Sequence, residues 1–442
     1  MSTSTATSQT LPGTIELTQS LVRFESVNPP GGEGQCIQFL EEVLNEAGIE
    51  TTVVGAIEER PNLVARVRGR GQAPAFLMHG HVDVVPTDGQ IWKHPPFAGE
   101  IIDGVLWGRG TLDMKGGVAM MVSALLRIQD AGLAPAGDIV FAAFSDQECG
   151  SGVGAKYVIE HHPALLEGVR YSIGEFGGFS FNSSGRRFYP IGVSEKRWCT
   201  LKLRTHGHGG HASVPVRGGA MAELGSVLKR LDRRRLPVHV TPLARQVLAG
   251  FGARLPLPAR LILQGLARPR LTDFLLDRVG DELWLFDVML HNTVSPATVD
   301  GARRSDAIPE TVELELDGRV LPGLDPEVLV AEVRALCGDA IEVELIDVHE
   351  GAPADPDMGL FEPLGEAIRG LDPEAIPVPL LLPGTTDGRL LAQLGIQNYG
   401  YLPMRFPEDF DPSELIHGPN ERIPVDALEF GAEVIERLLR RL

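Results

Sequence analysis

The chain has 442 residues, 43% of them hydrophobic, and a formal net charge of −19 at pH 7. That length exceeds what one hydrophobic core organises, so two domains are expected. The acidity argues against nucleic acid and anionic membrane as partners, both of which need a basic surface. Cys36, Cys149, Cys199 and Cys337 have no paired spacing, which gives neither a disulfide framework nor a cysteine zinc site and points to a reducing, cytoplasmic compartment. Residues 1–13 read as a polar, disordered tail without a signal pattern, and no apolar run is long enough to span a bilayer.

Residues 15–24 and 37–47 have helical spacing, and 62–67 reads as a strand. The apolar run 75–78 then breaks into His79-Gly-His81-Val-Asp83, the carboxyl end of a buried parallel strand, where open α/β sheets place their sites. Alternation along an extended chain puts His79, His81 and Asp83 on one face, an arrangement that a metal ion satisfies at least cost. Histidines hydrogen-bonded at a strand end would give the same local pattern. Asp113 lies in the turn-rich Gly108-Arg-Gly-Thr-Leu-Asp-Met-Lys-Gly-Gly117, which opens a helix over 118–128. Strand 139–144 ends in Ser145-Asp-Gln-Glu148, and strand 171–175 ends in Glu175. This order predicts an α/β domain: a mixed, mostly parallel sheet flanked by helices.

From residue 195 the pattern changes to that of an α+β domain. An alternating strand at 198–205 is followed by a helix at 220–231, a strand at 283–290 and another alternating strand at 311–319. A helix at 325–336, with Asp325 as its cap and Pro326 in its first turn, then leads to a strand at 341–346. The β-α-β-β-α-β sequence is ferredoxin-like. Residues 240–281, rich in Pro, Leu and Arg, form an insertion to which the sequence assigns no fold. A helix at 361–369, a strand at 398–402 and a helix at 425–442 return to the first pattern. The first domain is therefore expected to comprise 14–194 and 351–442, with 195–350 inserted in it. His417 sits among turn residues in Ile416-His-Gly-Pro-Asn-Glu421. Two histidines and three carboxylates, each at a strand end or in a loop, make a borderline-hard ligand set suited to Zn²⁺, with Co²⁺ or Mn²⁺ as alternatives.

Five motifs, spread over nearly the whole chain beyond the tail, carry a resemblance: His79-Gly-His-Val-Asp-Val-Val-Pro86, Trp107-Gly-Arg-Gly-Thr-Leu-Asp-Met-Lys-Gly-Gly117, Asp146-Gln-Glu-Cys-Gly-Ser151, Gly210-His-Ala-Ser-Val-Pro215 and Ile416-His-Gly-Pro-Asn-Glu-Arg-Ile423. The chain resembles the dinuclear zinc aminoacylases and exopeptidases, a family that includes carboxypeptidase S, glutamate carboxypeptidase, carnosinase and succinyl-diaminopimelate desuccinylase. The resemblance implies a zinc-exopeptidase fold with an inserted lid or dimerisation domain, two Zn²⁺ ions, and hydrolysis of an amide in N-acyl amino acids or small peptides. It implies that His81 and Glu175 hold one metal and Glu148 and His417 the other, with Asp113 between them and Asp83 orienting His81. His211 would reach the site of a partner subunit in a homodimer and help hold the oxyanion. Arg319, Arg389 and Asn292 would contact substrate, although surface ion pairs are an equal reading for the arginines.

At one position the chain departs from the family pattern. Gln147 stands where a general-base glutamate is expected, and a carboxamide keeps the shape but cannot accept the proton. The favoured reading is an inactivating change in an ordinary hydrolase. The alternative is a natural relative that binds or condenses instead of hydrolysing.

Overall fold

Strands buried on both faces require near-continuous apolar sequence, and Ala75–His81 and Ile139–Phe144 are buried at every position. The computed structural model describes residues 11–214, 217–301 and 305–442. Residues 1–10 of the expected tail lie outside the described residues. The chain divides into two compact units. One runs to Gly192 and takes in Asp357–Val378 and Thr386–Leu442; the other comprises Val193–Pro356 and Pro379–Thr385.

In the first unit, strands Ile139–Phe144, Ala75–His81, Val169–Gly174 and Gln397–Gly400 are adjacent and parallel. Antiparallel strands Asn62–Val67 and Glu50–Val54 extend the sheet on one side, and Arg186–Glu195 begins an antiparallel continuation on the other. Because the three strands Ala75–His81, Ile139–Phe144 and Val169–Gly174 point the same way, the loops after His81, Phe144 and Gly174 leave from one edge. Helix Lys115–Asp130 buries nearly its whole length and packs against Thr14–Val22 and Val425–Leu439. That burial fixes the loop carrying Asp113, which enters the helix.

In the second unit, four antiparallel strands follow the order Thr293–Asp300, Thr311–Val320, Arg197–His206, Glu342–Val348. Helices Ala220–Arg233 and Pro326–Cys337 cover them, giving the ferredoxin-like arrangement. Asp325 does cap its helix, accepting from the Glu327 amide.

One expected strand is a helix: 283–290 is a short 3-10 turn followed by helix Trp284–Leu290. Its buried residues Leu283, Phe286, Met289 and Leu290 recur at helical spacing, which an unbroken apolar run conceals. The strand is instead Thr293–Asp300, an exposed sheet edge where Pro296 is tolerated beside a register shift. The insertion left unassigned by the sequence is helical, comprising Pro242–Gly252, Leu257–Leu266 and Pro269–Val279. Among the described residues, no helix is long and apolar enough to cross a membrane.

Candidate metal centre

Two clusters of potential ligands meet at the carboxyl edge of the parallel strands, and Asp113 belongs to both. In the first, His81 Nε2 lies 3.1 Å from Asp113 Oδ1 and 3.3 Å from Glu175 Oε2. In the second, His417 Nε2 lies 3.2 Å from Asp113 Oδ2 and 3.3 Å from Glu148 Oε2. Each oxygen of Asp113 thus faces one histidine, the geometry of a bridging carboxylate.

His81 has only acceptors at its other nitrogen: Nδ1 is 3.0 Å from the Asp83 carbonyl and 3.3 Å from Asp83 Oδ1. The ring proton therefore sits on Nδ1 and the Nε2 lone pair is turned towards two carboxylates. That contact is repulsive unless a cation stands between them. In the protein alone a proton fills this role: burial works against a charged His81, yet the carboxylates of Asp113, Asp83 and Glu175 hold its pKa well above the ordinary value. Hydrogen bonds to Asp113 and then to Glu148 push His417 up to about 10. Burial raises Glu175 to about 7 and raises Glu148 as well, whereas the two histidines hold Asp113 low against the cost of burial. Among the described residues, the buried Glu148 Oε1 has no hydrogen-bond partner. A carboxylate oxygen left without a partner and two imidazole nitrogens facing carboxylates form a donor set that fits two divalent cations.

The surrounding side chains hold these groups in place. Asp83 is buried, and its carboxylate accepts from the backbone N–H of Gln147 (3.1 Å) and Glu148 (3.0 Å) and from Asn28 Nδ2 (2.9 Å). It thereby joins the strand-end histidine to the loop after Phe144. Gln147 Nε2 donates to Glu175 Oε1 at 3.0 Å. Arg60 pairs with both Glu33 and Asp146 beneath that loop. Glu421, fully buried, accepts from the amides of Gly110, Leu112 and Asp113 and from Arg109. Sequence reasoning gave Asn28, Arg60, Glu33 and Glu421 no role, and the only available signal was the run of unpaired loop amides around Asp113.

His79, one turn of the pleat before His81, faces Asn398 at 2.9 Å and belongs to neither cluster. Arg389 is buried and donates to the Thr386 carbonyl. The other expected residues lie in the second unit. His211 is exposed on the short strand Gly210–His211, its Nδ1 accepting from the Ser213 amide at 3.2 Å. Arg319 forms a bidentate pair with Asp317 (2.6 and 2.8 Å) and reaches Thr385 at 3.2 Å. Asn292 is turned inward: its nitrogen donates to Glu332 and its oxygen accepts from the Leu321 amide, which leaves it a structural tie rather than an open substrate contact.

A pocket beside Asp113 and Glu175 is walled by Leu112, Met114, Phe176, Phe179, Leu402 and Met404.

A family model described as peptidase family M20/M25/M40 matches residues 77–441. The human protein named N-fatty-acyl-amino acid synthase/hydrolase PM20D1 is 28% identical over 379 residues, covering 83% of this chain and 73% of its own length. Succinyl-diaminopimelate desuccinylase of Paracoccus denitrificans is 35% identical over 208 residues, 47% of this chain and 52% of its own. Among solved structures, human carnosine dipeptidase 1 superposes with a TM-score of 0.69 at 17% identity, covering 97% of this chain and 95% of that one. The M20 family metallo-carboxypeptidase Sso-CP2 from Sulfolobus solfataricus gives a TM-score of 0.70 at 17% identity, covering 97% and 99%. At these identities the two structures speak for the fold.

Proposed function

The chain belongs to peptidase family M20/M25/M40, a family of metal-dependent hydrolases, and from that premise we propose that it acts on the amide of an N-acyl amino acid or small peptide whose acyl part is apolar. The observation that carries the proposal is the pair of ligand clusters sharing Asp113. Support for an apolar acyl group comes from the name of the human relative, N-fatty-acyl-amino acid synthase/hydrolase, and from the apolar side chains of Phe176, Phe179 and Met404 that line the narrow recess beside Glu175.

His81 and Glu175 would hold one ion, Glu148 and His417 the other, and Asp113 both. Two bound divalent cations, Zn²⁺ with Co²⁺ or Mn²⁺ as alternatives, would polarise the scissile carbonyl and acidify a shared water. Asp83 keeps the Nδ1 proton on His81, so that Nε2 is the ligand atom. Gln147, fixed through its backbone amide and donating to Glu175, occupies the position from which a carboxylate would carry a proton from water to the leaving amine. As a carboxamide it cannot. The chain as written is therefore read as a hydrolase scaffold lacking its general base. A second reading, a binding or condensing relative, rests on Gln147 alone.

A homodimer through the second unit belongs to the same proposal. With Nδ1 of His211 accepting from Ser213, the proton sits on Nε2, the form an oxyanion donor requires.

The test is a panel of N-acyl amino acids of rising acyl length, together with dipeptides, assayed for amine release with metal-reconstituted parent and Gln147→Glu protein. Cleavage by the glutamate variant, fastest with apolar acyl groups, is the expected result. Failure of that variant to cleave any amide while carrying its metals would overturn the assignment.

A further inference from the structure

The helical insertion of the second unit is charged unlike the rest of the chain. Residues 242–279 contain six arginines against two aspartates and no lysine or glutamate, a local charge of +4 in a chain of −19. Arg245, Arg254, Arg260, Arg268, Arg270 and Arg278 are all exposed, and among the described residues none pairs with a carboxylate. Both aspartates are engaged outside the segment, Asp273 with His291 and Asp277 with Arg235.

Large apolar side chains stand among these arginines. Helix Leu257–Leu266 buries Leu263, Gly265 and Leu266, yet leaves Leu257 68% and Leu261 57% exposed one turn apart. Helix Pro269–Val279 buries Thr272 and Leu276 and leaves Phe274 66% exposed. The two helices pack together and are joined by residues 267–268, the short link of a helical hairpin. Leucine and phenylalanine side chains more than half exposed, with arginines among them, form the surface of a helix pair that lies within a lipid headgroup layer.

We propose that the hairpin Leu257–Val279 is an interfacial anchor that seats on an anionic phospholipid surface, with Leu257, Leu261 and Phe274 entering the acyl boundary and the arginines meeting the phosphates. The association is peripheral, since no described helix can span a bilayer. A second copy docking by the same face would set arginines against arginines. Nucleic acid would answer the charge and leave the apolar side chains wet. An anionic membrane satisfies both. The whole-chain charge of −19 is an average that conceals this segment; with a Debye length of about 8 Å at physiological salt, an approaching surface senses the local sign.

The test uses the full-length, metal-loaded protein with extruded vesicles of phosphatidylcholine, with and without phosphatidylglycerol, in a sedimentation assay at low and high salt. Binding is expected only to the anionic vesicles and is expected to weaken with salt. Leu261→Asp with Phe274→Asp should lower the partition coefficient roughly tenfold or more, and Arg260→Glu with Arg270→Glu should lower it by at least a factor of roughly 25, from about fivefold per arginine. All four positions are exposed, and thermal unfolding checks that both variants remain folded. Absence of binding at low salt, equal binding to neutral vesicles, or unchanged binding by both variants would overturn the proposal. So would an aspartate variant that changes the oligomeric state in a parent that ignores vesicles, which would make the face a contact between copies.

Discussion

Glu421→Gln is the perturbation that asks most directly whether the metal centre is held together from behind. The Glu421 carboxylate receives Leu112 N–H at 2.7 Å and Asp113 N–H at 3.1 Å on one oxygen, and Gly110 N–H at 3.0 Å and Arg109 Nη1 at 2.6 Å on the other. Arg109 Nη2 and Gln90 Nε2 both donate to the His417 carbonyl, at 3.2 and 2.9 Å. One carboxylate therefore ties the loop of the bridging Asp113 to the loop of His417. A glutamine fits the space, but whichever way it is turned its nitrogen meets donors. With its oxygen kept on Leu112 and Asp113, the Gly110 amide loses its acceptor and Arg109 keeps an unpaired buried charge. Breaking a buried ion pair costs about 3–5 kcal/mol, and an orphaned buried amide adds about 1–3 kcal/mol. A loss of about 4–8 kcal/mol rivals the whole stability of an ordinary domain. Denaturant unfolding of parent and variant, with metal titration at a temperature where both are folded, measures the two consequences. The variant should lose several kcal/mol and bind metal roughly 10–100-fold more weakly. Stability within about 1 kcal/mol of the parent, far below the ion-pair cost, together with unchanged affinity for both ions, would refute the reasoning.

Asp113→Asn should remove both metals rather than one, because each oxygen of Asp113 serves a different cluster; elemental analysis that finds one ion bound at parental affinity would contradict the shared role. Lys196 is a separate case: among the described residues its buried ammonium has only the His291 carbonyl and the Thr293 hydroxyl as acceptors, and burial, then Arg319, push its pKa down to about 7 against the opposing charge of Asp287. An unfolded lysine titrates near 10.4, so between pH 7 and 10 the unfolded state binds more protons and this group's contribution to stability rises with pH, the penalty being fully present below about 7. Unfolding free energies of parent and Lys196→Met should therefore shift by a few kcal/mol in the parent's favour from pH 7 to 10, and a constant difference would show that Lys196 is not desolvated. In the Gln147→Glu background, His211→Ala should cut turnover by roughly 10²–10³-fold with metal content unchanged; activity should return when that variant is mixed with one dead at Glu148, and a mixture that stays inactive despite subunit exchange would place His211 outside its partner's site.

The candidate ligand positions were legible because a buried strand announces itself as an unbroken apolar run, and His81, Glu148 and Glu175 are the polar groups at or just beyond the point where such a run stops. The residues that hold them were not. Asn28 joins Asp83 to Asp146, and Glu421 gathers amides from 110–113, through contacts between positions hundreds of residues apart or in separate loops, which leave no local period or motif. The misplaced strand has a similar origin: Thr293–Asp300 is a mostly exposed edge containing a proline, so it lacks the alternation that marks a half-buried strand, while the helix before it is apolar enough to mimic one. The resemblance made Asn292 a substrate contact, and only tertiary structure supplies Glu332 and the Leu321 amide that consume it.

Gln147 gains a meaning from this geometry that its identity alone did not supply. Around Asp113 the fold gathers Asp83, Glu148 and Glu175 with two imidazoles, an assembly of carboxylates whose charge is met by protons or by bound cations. A glutamate at 147 would set another carboxylate about where the amide nitrogen now lies 3.0 Å from Glu175 Oε1. With an effective dielectric of about 20, two charges at that separation repel by up to roughly 5 kcal/mol, so the proton carrier that hydrolysis needs would raise the demand for bound metal. The carboxamide replaces that repulsion with a hydrogen bond. In this chain the same substitution that removes the base therefore also relieves the electrostatic strain of the metal-free site, and the capacity to hydrolyse and the dependence of stability on metal should rise or fall together at position 147.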